Sequence, residues 1–503
     1  MKKFRNVLSL SLIVVFFLAS AMPSSAIGDD GSSRIVVKPA GEGASYESHV
    51  ILNASRGGPE GSGVSYTVNS DYQNALNRVV PAGNQDDIPG YIAGLSGNDL
   101  QEFADRLYKE IRSEGIPAYG TAGASQGEAD LGGTPPGYIL IGQTAAAAGE
   151  IYSTVMLDTT YDDETVYVTS KTETPTVEKK VLEKNDSSGG EGIWQDAADY
   201  DAGDTVSFRI SAVLPGNIRS YEKYTVRLHD NLSSAFTYSN DAVIYSVNNG
   251  EKKNVTDVFS IQKDRTNLTF SCDNILLNEN LSSADSLVFE YSAVLSDAAV
   301  QGNTGNPNTV YMEYSRNPHG DETGQTPADK VTVFTYQVKI SKVDEQQQPL
   351  YGALFGLYKY LESGSDYRLV DQIKYGSTEF IFKGLDSGRY RLVEEFAPDG
   401  YNKIAPIEFT IEAAYDAESA DPALTALTAR NMSGEVISGE GGIFAADLND
   451  GSLSARIVNK VGKELPGTGG QGTLLIYLIG ILSSAAGILL FYLKKKRGKT
   501  TEK

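Results

Sequence analysis

The chain is poor in the residues that carry chemistry or crosslinks in most exported proteins. Cys272 is the single cysteine in 503 residues, which excludes an intramolecular disulfide. Only three histidines are present, and no metal-binding set or nucleophile, base and orienter recurs at catalytic spacing, so a hydrolase finds little support and neither metal nor cofactor is called for. Basic charge is short as well: 43 Lys and Arg stand against 65 Asp and Glu, a formal net charge of -22. So acidic a surface excludes a nucleic-acid partner and favours a soluble, self-repelling protein.

Long apolar runs occur only at the two ends. Lys2, Lys3 and Arg5 precede the apolar segment Val7 to Ala19, and Ser24-Ser25-Ala26 supplies small residues for cleavage. Residues 1–26 are therefore expected to be a signal peptide, with the mature chain starting near Ile27. At the other end, Leu465, Pro466, Gly467, Thr468 and Gly469 precede an almost uncharged run, Gly472 to Leu493, which stops at Lys494, Lys495, Lys496 and Arg497. That run is long enough to cross a bilayer, and the basic cluster holds its end on the cytoplasmic side. Without residues 1–26 and everything after Thr468 the chain loses nine basic residues and one acid, moving the formal charge from -22 to -30.

Between these ends, about 440 residues suffice for about three domains. With 29 Tyr, 51 Gly and many short Val, Ile and Thr runs broken by Gly, Asn and Asp, the composition predicts a mainly β protein. The first unit, 27–171, reads as an α+β module. Strands are expected at Arg34 to Lys38, Glu47 to Leu52, Tyr138 to Ile141, Ser153 to Leu157 and Thr165 to Thr169. A helix is expected over Leu100 to Ser113, with Asn98 and Gln101 as a loose capping box. Tyr119 to Gly137 reads as loop and His49 as a surface or turn residue. Alternation in the last strand puts Tyr167, Thr169 and Lys171 on an exposed face where the next unit begins.

The second unit, 172–331, contains three strands that each turn one polar group toward an apolar face. Val177, Lys179 and Val181 share a face, as do Val226, Leu228 and Asp230, and Asn308, Val310, Met312 and Tyr314. The third unit, 332–462, repeats the order: Val338, Ile340 and Lys342; then Tyr390, Leu392 and Glu394; then Leu453, Ala455, Ile457 and Asn459. A lone inward lysine is costly unless it is paired. Two sets of amine, carboxyl and carboxamide in one chain order point to the same chemistry twice. Burial favours a neutral, nucleophilic lysine and a protonated acid that can hydrogen-bond the asparagine carbonyl. Fixed contact then lets the amine attack the carboxamide, with ammonia leaving. Each such amide, Lys179 to Asn308 and Lys342 to Asn459, is expected to join the first and last strands of its domain. Asp230 and Glu394 are the expected catalytic acids. Residues 413–450, rich in Ala, Ser, Asp and Gly, are expected to form a surface excursion.

These residues carry a family resemblance. The C-terminal pentapeptide, apolar run and basic tail, 463–503, resemble the cell-wall sorting signal of Gram-positive surface proteins, in which a sortase cuts at the position of Thr468 and Gly469. Residues 171–459 resemble isopeptide-forming domains of Gram-positive fimbrial backbone proteins. The resemblance rests on Pro175 to Val181, Gly203-Asp-Thr-Val206, His229 to Ser233, Gly305 to Asn308, Gly352 to Tyr358 and, most specifically, the E-box-like Tyr390 to Tyr401. It implies tandem immunoglobulin-like, Cna-type β-sandwiches with Glu394, not Glu395, as the functional acid. It also implies an extracellular pilus subunit joined to peptidoglycan and to identical subunits by a pilus sortase, with a housekeeping sortase, minor pilins and a host or surface ligand as further partners. Lys171 would be the acceptor lysine between subunits, although Thr169-Ser170 stand where the familiar motif has tyrosine and proline. A monomeric wall-anchored adhesin built from the same domains is the alternative.

Overall fold

The computed structural model describes residues 32–57, 63–147, 150–159, 165–169, 174–216, 218–318, 320–373, 376–462 and 471–498. Six β-sheets account for most of it, with helices clustered near the N-terminus and one long helix near the C-terminus.

In the N-terminal region, a five-stranded sheet is centred on Ser45–Gly57 and Gly137–Ala145, and a three-stranded sheet on Ser33–Val37. The helix Gly97–Glu114 lies on the larger sheet because Phe103, Ala104, Leu107, Tyr108 and Ile111 make one apolar stripe. Tyr108 presses on Gly142 so closely that a Cβ there would lie 2.2 Å from its ring, so the neighbouring strand needs glycine. The helix starts earlier than expected. Ser96 is its N-cap, and the Gln101 side chain turns to Asp105 and Thr154 instead of the helix start, so the expected capping box is absent. The glycine-rich stretch expected to be loop contains the strands Gly120–Gly123 and Ala129–Thr134, because cross-strand pairing with Ser45–Gly57 and Ser33–Val37 offsets their low strand propensity. His49 is fully buried, not a surface residue: its Nδ1 lies 3.2 Å from the Tyr72 hydroxyl and its Nε2 3.4 Å from Glu47.

The middle region is a sandwich of two seven-stranded sheets. One contains Thr176–Glu183, Thr205–Val213 and Ser286–Leu295; the other contains Val226–Leu232, Asn306–Ser315 and Asp329–Phe334. Alternation fills the space between them. Val206, Phe208, Ile210 and Ala212 point in from one sheet, while Val226, Leu228, Val310 and Met312 do so from the other.

The C-terminal sandwich pairs a four-stranded sheet, containing Tyr336–Val343 and Ser452–Val458, with a five-stranded sheet containing Leu354–Leu361 and Gly388–Phe396. Its first and last strands are parallel neighbours. Residues 413–450 are not merely an excursion: Leu424–Arg430 extends the larger sheet and Phe444–Asp447 the smaller. Leu424, Leu427, Ala429 and Phe444 lie in the core, an apolar minority diluted by the small polar residues around it.

The two sandwiches meet at a charged junction. Lys359, almost wholly buried, approaches Asp186 at 2.6 Å, Asp201 at 2.5 Å and Asp386 at 2.6 Å. Beyond the sandwiches, the helix Gln471–Gly498 contains a candidate membrane span, Leu475–Lys495.

Candidate functional site

Period-two alternation delivers both polar sets to the interiors. In the middle sandwich, Lys179 projects from one sheet toward Asp230 on the other, and both are buried. Lys179 Nζ lies 3.0 and 2.9 Å from the two Asp230 oxygens and about equally close, 3.0 Å, to the Tyr291 hydroxyl. The Tyr291 hydroxyl in turn donates to Asp230 Oδ2 and accepts from Asn308 Nδ2 at 2.7 Å. Tyr291 therefore stands in a network that sequence reasoning confined to an amine, an acid and a carboxamide. The ring stacks on Phe208 with a centroid separation of 5.4 Å, and Lys179 Nζ lies 5.2 Å from each ring centroid. Burial among these rings pushes the Lys179 amine below its ordinary pKa, while the negative charges of Asp230 and Asp329 pull the other way.

A signal for Tyr291 was present. Leu287, Phe289, Tyr291 and Ala293 form the inward row of their strand, and a buried tyrosine hydroxyl needs a partner. Asn308 also corrects the expected topology: Asp329–Phe334 follows its strand and lies beside it in the same sheet, so Asn308 does not belong to the last strand of that sandwich.

The C-terminal sandwich assembles its set differently. Lys342 and Asn459 approach from the parallel first and last strands, with Asn459 just beyond the end of Ser452–Val458, and Glu394 comes from the facing sheet. Glu394 Oε1 accepts from Asn459 Nδ2 at 2.8 Å and lies 3.8 Å from Lys342 Nζ. Its other oxygen accepts the Ile404 N–H at 2.9 Å, which fixes the carboxylate. Lys342 Nζ also donates to the Ile457 carbonyl at 3.1 Å. Burial lowers the Lys342 pKa to about 8 against the opposing pull of Glu394. Glu395 points away from this set and accepts from the Tyr358 hydroxyl at 2.6 Å.

In both sets the asparagine Oδ1 is buried without a hydrogen-bond partner. Such an orphaned carbonyl is costly, and a half-turn of the carboxamide would bring it against the acid or phenol that now faces Nδ2. The sets can therefore present a carbonyl to a proton donor while keeping an amine close by. Lys171, Leu465, Pro466, Gly467, Thr468 and Gly469 lie outside the described residues. Lys180, on the outward side of the Lys179 strand, is held by Asp196 at 2.8 Å.

The described chain thus carries tandem β-sandwiches followed by an apolar helix long enough to cross a membrane. Residues 336–421 match the SpaA family, described as a prealbumin-like fold domain, and residues 457–499 match the LPXTG cell wall anchor motif. The trypsin-resistant surface T6 protein of Streptococcus pyogenes is 25% identical over 303 residues, covering 52% of each chain, so the chain spans about half the length of that relative. In fold, the T6 backbone pilin of Streptococcus pyogenes serotype M6 superposes with a TM-score of 0.53 at 18% identity, covering 87% of this chain and 100% of that one. Two stretches of the chain thus match a prealbumin-like fold domain and an LPXTG cell wall anchor motif, and over its length the chain shares the fold of a backbone pilin.

Proposed function

We propose that this chain is the structural backbone subunit of a covalent, sortase-assembled pilus, with residues 172–331 and 332–462 as its self-crosslinking domains. The observation that carries this reading is the pair of buried amine, acid and carboxamide sets in neighbouring sandwiches of a chain with one cysteine, Cys272. Lys179 joins Asn308 and Lys342 joins Asn459. In each reaction the acid takes a proton from the ammonium, the neutral amine attacks the asparagine Cγ, and the acid gives its proton to the departing nitrogen and takes the lysine's second N–H proton as ammonia leaves. One C–N bond forms, one breaks, and the carboxyl is regenerated. The bonds give the shaft a crosslink that a disulfide cannot supply here.

Assembly uses the sorting signal. A pilus sortase cleaves between Thr468 and Gly469 and transfers the threonine carbonyl to Lys171 of the next identical subunit, while a housekeeping sortase passes the last subunit to peptidoglycan. Minor pilins and a host or surface ligand complete the fibre. The test is an immunoblot of cell-wall extracts boiled in denaturant from cells carrying the wild-type chain or Lys171→Ala. A ladder in the wild type that collapses to a single exported species in the variant is expected. A single wall-linked band in the wild type would instead identify a monomeric adhesin, and an unchanged ladder in the variant would transfer the acceptor role to another lysine, Lys180 first.

A further inference from the structure

We propose that Tyr291 is the proton relay of the middle sandwich, completing with Asp230 a catalytic pair that performs the role of Glu394 alone in the C-terminal sandwich. This rests on the crosslinking chemistry proposed above and adds a residue to it. In the C-terminal set one atom, Glu394 Oε1, faces both reactants: Asn459 Nδ2 at 2.8 Å and Lys342 Nζ at 3.8 Å. In the middle set the atom in that position is the Tyr291 oxygen, 2.7 Å from Asn308 Nδ2 and 3.0 Å from Lys179 Nζ. Asp230 touches the lysine and the phenol, and the phenol touches the asparagine. The aspartate side chain is one methylene shorter than glutamate, and the hydroxyl extends its reach.

The relay balances. Lys179 gives a proton to Asp230, leaving a neutral amine and a carboxylic acid. With the Asn308 carboxamide turned so that Oδ1 faces the phenol, the acid donates to the Tyr291 oxygen and the phenol donates its own proton to Oδ1. The amine attacks Cγ as that oxygen gains the proton. Collapse of the tetrahedral adduct returns the proton through the phenol, a Lys179 N–H proton passes by Asp230 to the departing nitrogen, and ammonia leaves. Tyr291 emerges unchanged, and Asp230 returns to the carboxylate when ammonia carries off, as ammonium, the proton that Lys179 first gave up. The hydroxyl suits this because it donates and accepts at once. Its surroundings suit it too: Tyr291, Lys179, Asp230 and Asn308 are all buried, so water cannot readily replace it.

The test follows pulse-labelled full-length chain from cell-free synthesis, quenched at intervals in acidic denaturant, with each crosslinked tryptic peptide pair quantified by mass. Tyr291→Phe should slow the Lys179–Asn308 crosslink by about 100-fold, the scale of lost acid–base assistance, while Lys342–Asn459 forms at the wild-type rate. The double variant Asp230→Glu with Tyr291→Phe should recover most of the rate, because the longer carboxylate reaches the carboxamide directly. Wild-type kinetics in Tyr291→Phe would overturn the relay while leaving the crosslink reading intact. A slow Tyr291→Phe that the longer acid fails to rescue would assign the phenol to packing and also overturn the relay. Absence of the Lys179–Asn308 crosslink from the wild type would overturn both readings.

Discussion

Replacing Glu394 by Gln tests the C-terminal crosslink with little change in shape. Gln keeps an oxygen for the Ile404 N–H and a polar end beside Asn459, but it cannot take the Lys342 proton. The variant should therefore fold with Lys342 and Asn459 in place and unjoined. Closing the loop of about 120 residues between them removes unfolded-state entropy worth about 5 kcal/mol in the chain-entropy picture. For a domain of this size that corresponds to a melting temperature lower by about 15–25 °C. Loss of the carboxylate adds a separate effect, because it removes the countercharge of a buried amine. Asn459→Ala controls for this: it blocks the crosslink while keeping the Lys342–Glu394 pair. If both substitutions act through the bond, the double variant should lose little more than either single one. Calorimetry resolves the C-terminal transition, and intact mass with tryptic mapping reports the bond. The wild type should be lighter than its calculated mass by two ammonia molecules and Glu394→Gln by one. Full calculated mass in the wild type, with Lys342 in an unlinked peptide, would refute the mechanism; so would an intact crosslink in Glu394→Gln.

Asp230→Asn should reverse the pattern, removing the Lys179–Asn308 bond and lowering the melting transition of the middle sandwich by a similar amount, with retained protease resistance there as the contrary result. The rate of the C-terminal reaction carries a pH signature: the reactive pair needs one shared proton, and the Lys342 pKa is lowered to about 8, so crosslinking should slow as pH rises past about 8. A rate that instead climbs through that range would show that a free amine suffices without the acid. At the junction, burial and nearby Asp199 push the Glu183 carboxyl up to about 7, where it accepts from the Tyr415 hydroxyl across the interface. A raised carboxyl pKa stabilises the folded state at low pH and loses that contribution as pH rises from about 4.5 through about 7. The contact between the sandwiches should accordingly be firmer at pH 5 than at pH 8 by on the order of 1 kcal/mol or more, given about 1.4 kcal/mol per pKa unit. Glu183→Gln should flatten that dependence in hydrogen exchange at the junction, and an unchanged profile would exclude Glu183 as its source.

Much of this was legible in the chain. Alternation with a period of two assigns each strand residue to a face before any partner is known, so Lys179, Lys342, Asp230, Glu394, Asn308 and Asn459 could be read as inward from local pattern alone. The C-terminal apolar run was equally plain, because bilayer thickness sets a length and composition that few other segments meet. Partnership was not local. Lys179 and Asp230 come from opposite sheets, and the distances between them follow from how the sheets pack. Tyr291 was hidden for a chemical reason: along its strand it continues an apolar row with Phe289 and Ala293, and only the facing sheet makes its hydroxyl more than the polar tip of a core aromatic. His49 was misread because burial next to Tyr72 and Glu47 depends on a helix and strand brought together in space. The glycine-rich strands and residues 413–450 failed likewise, since pairing across a sheet can order segments whose own propensity is weak. Sequence alone thus determined which groups face inward and where the candidate membrane span lies. The tertiary structure decided which groups meet, because contact across a sandwich depends on the registration of two sheets, which no single strand encodes.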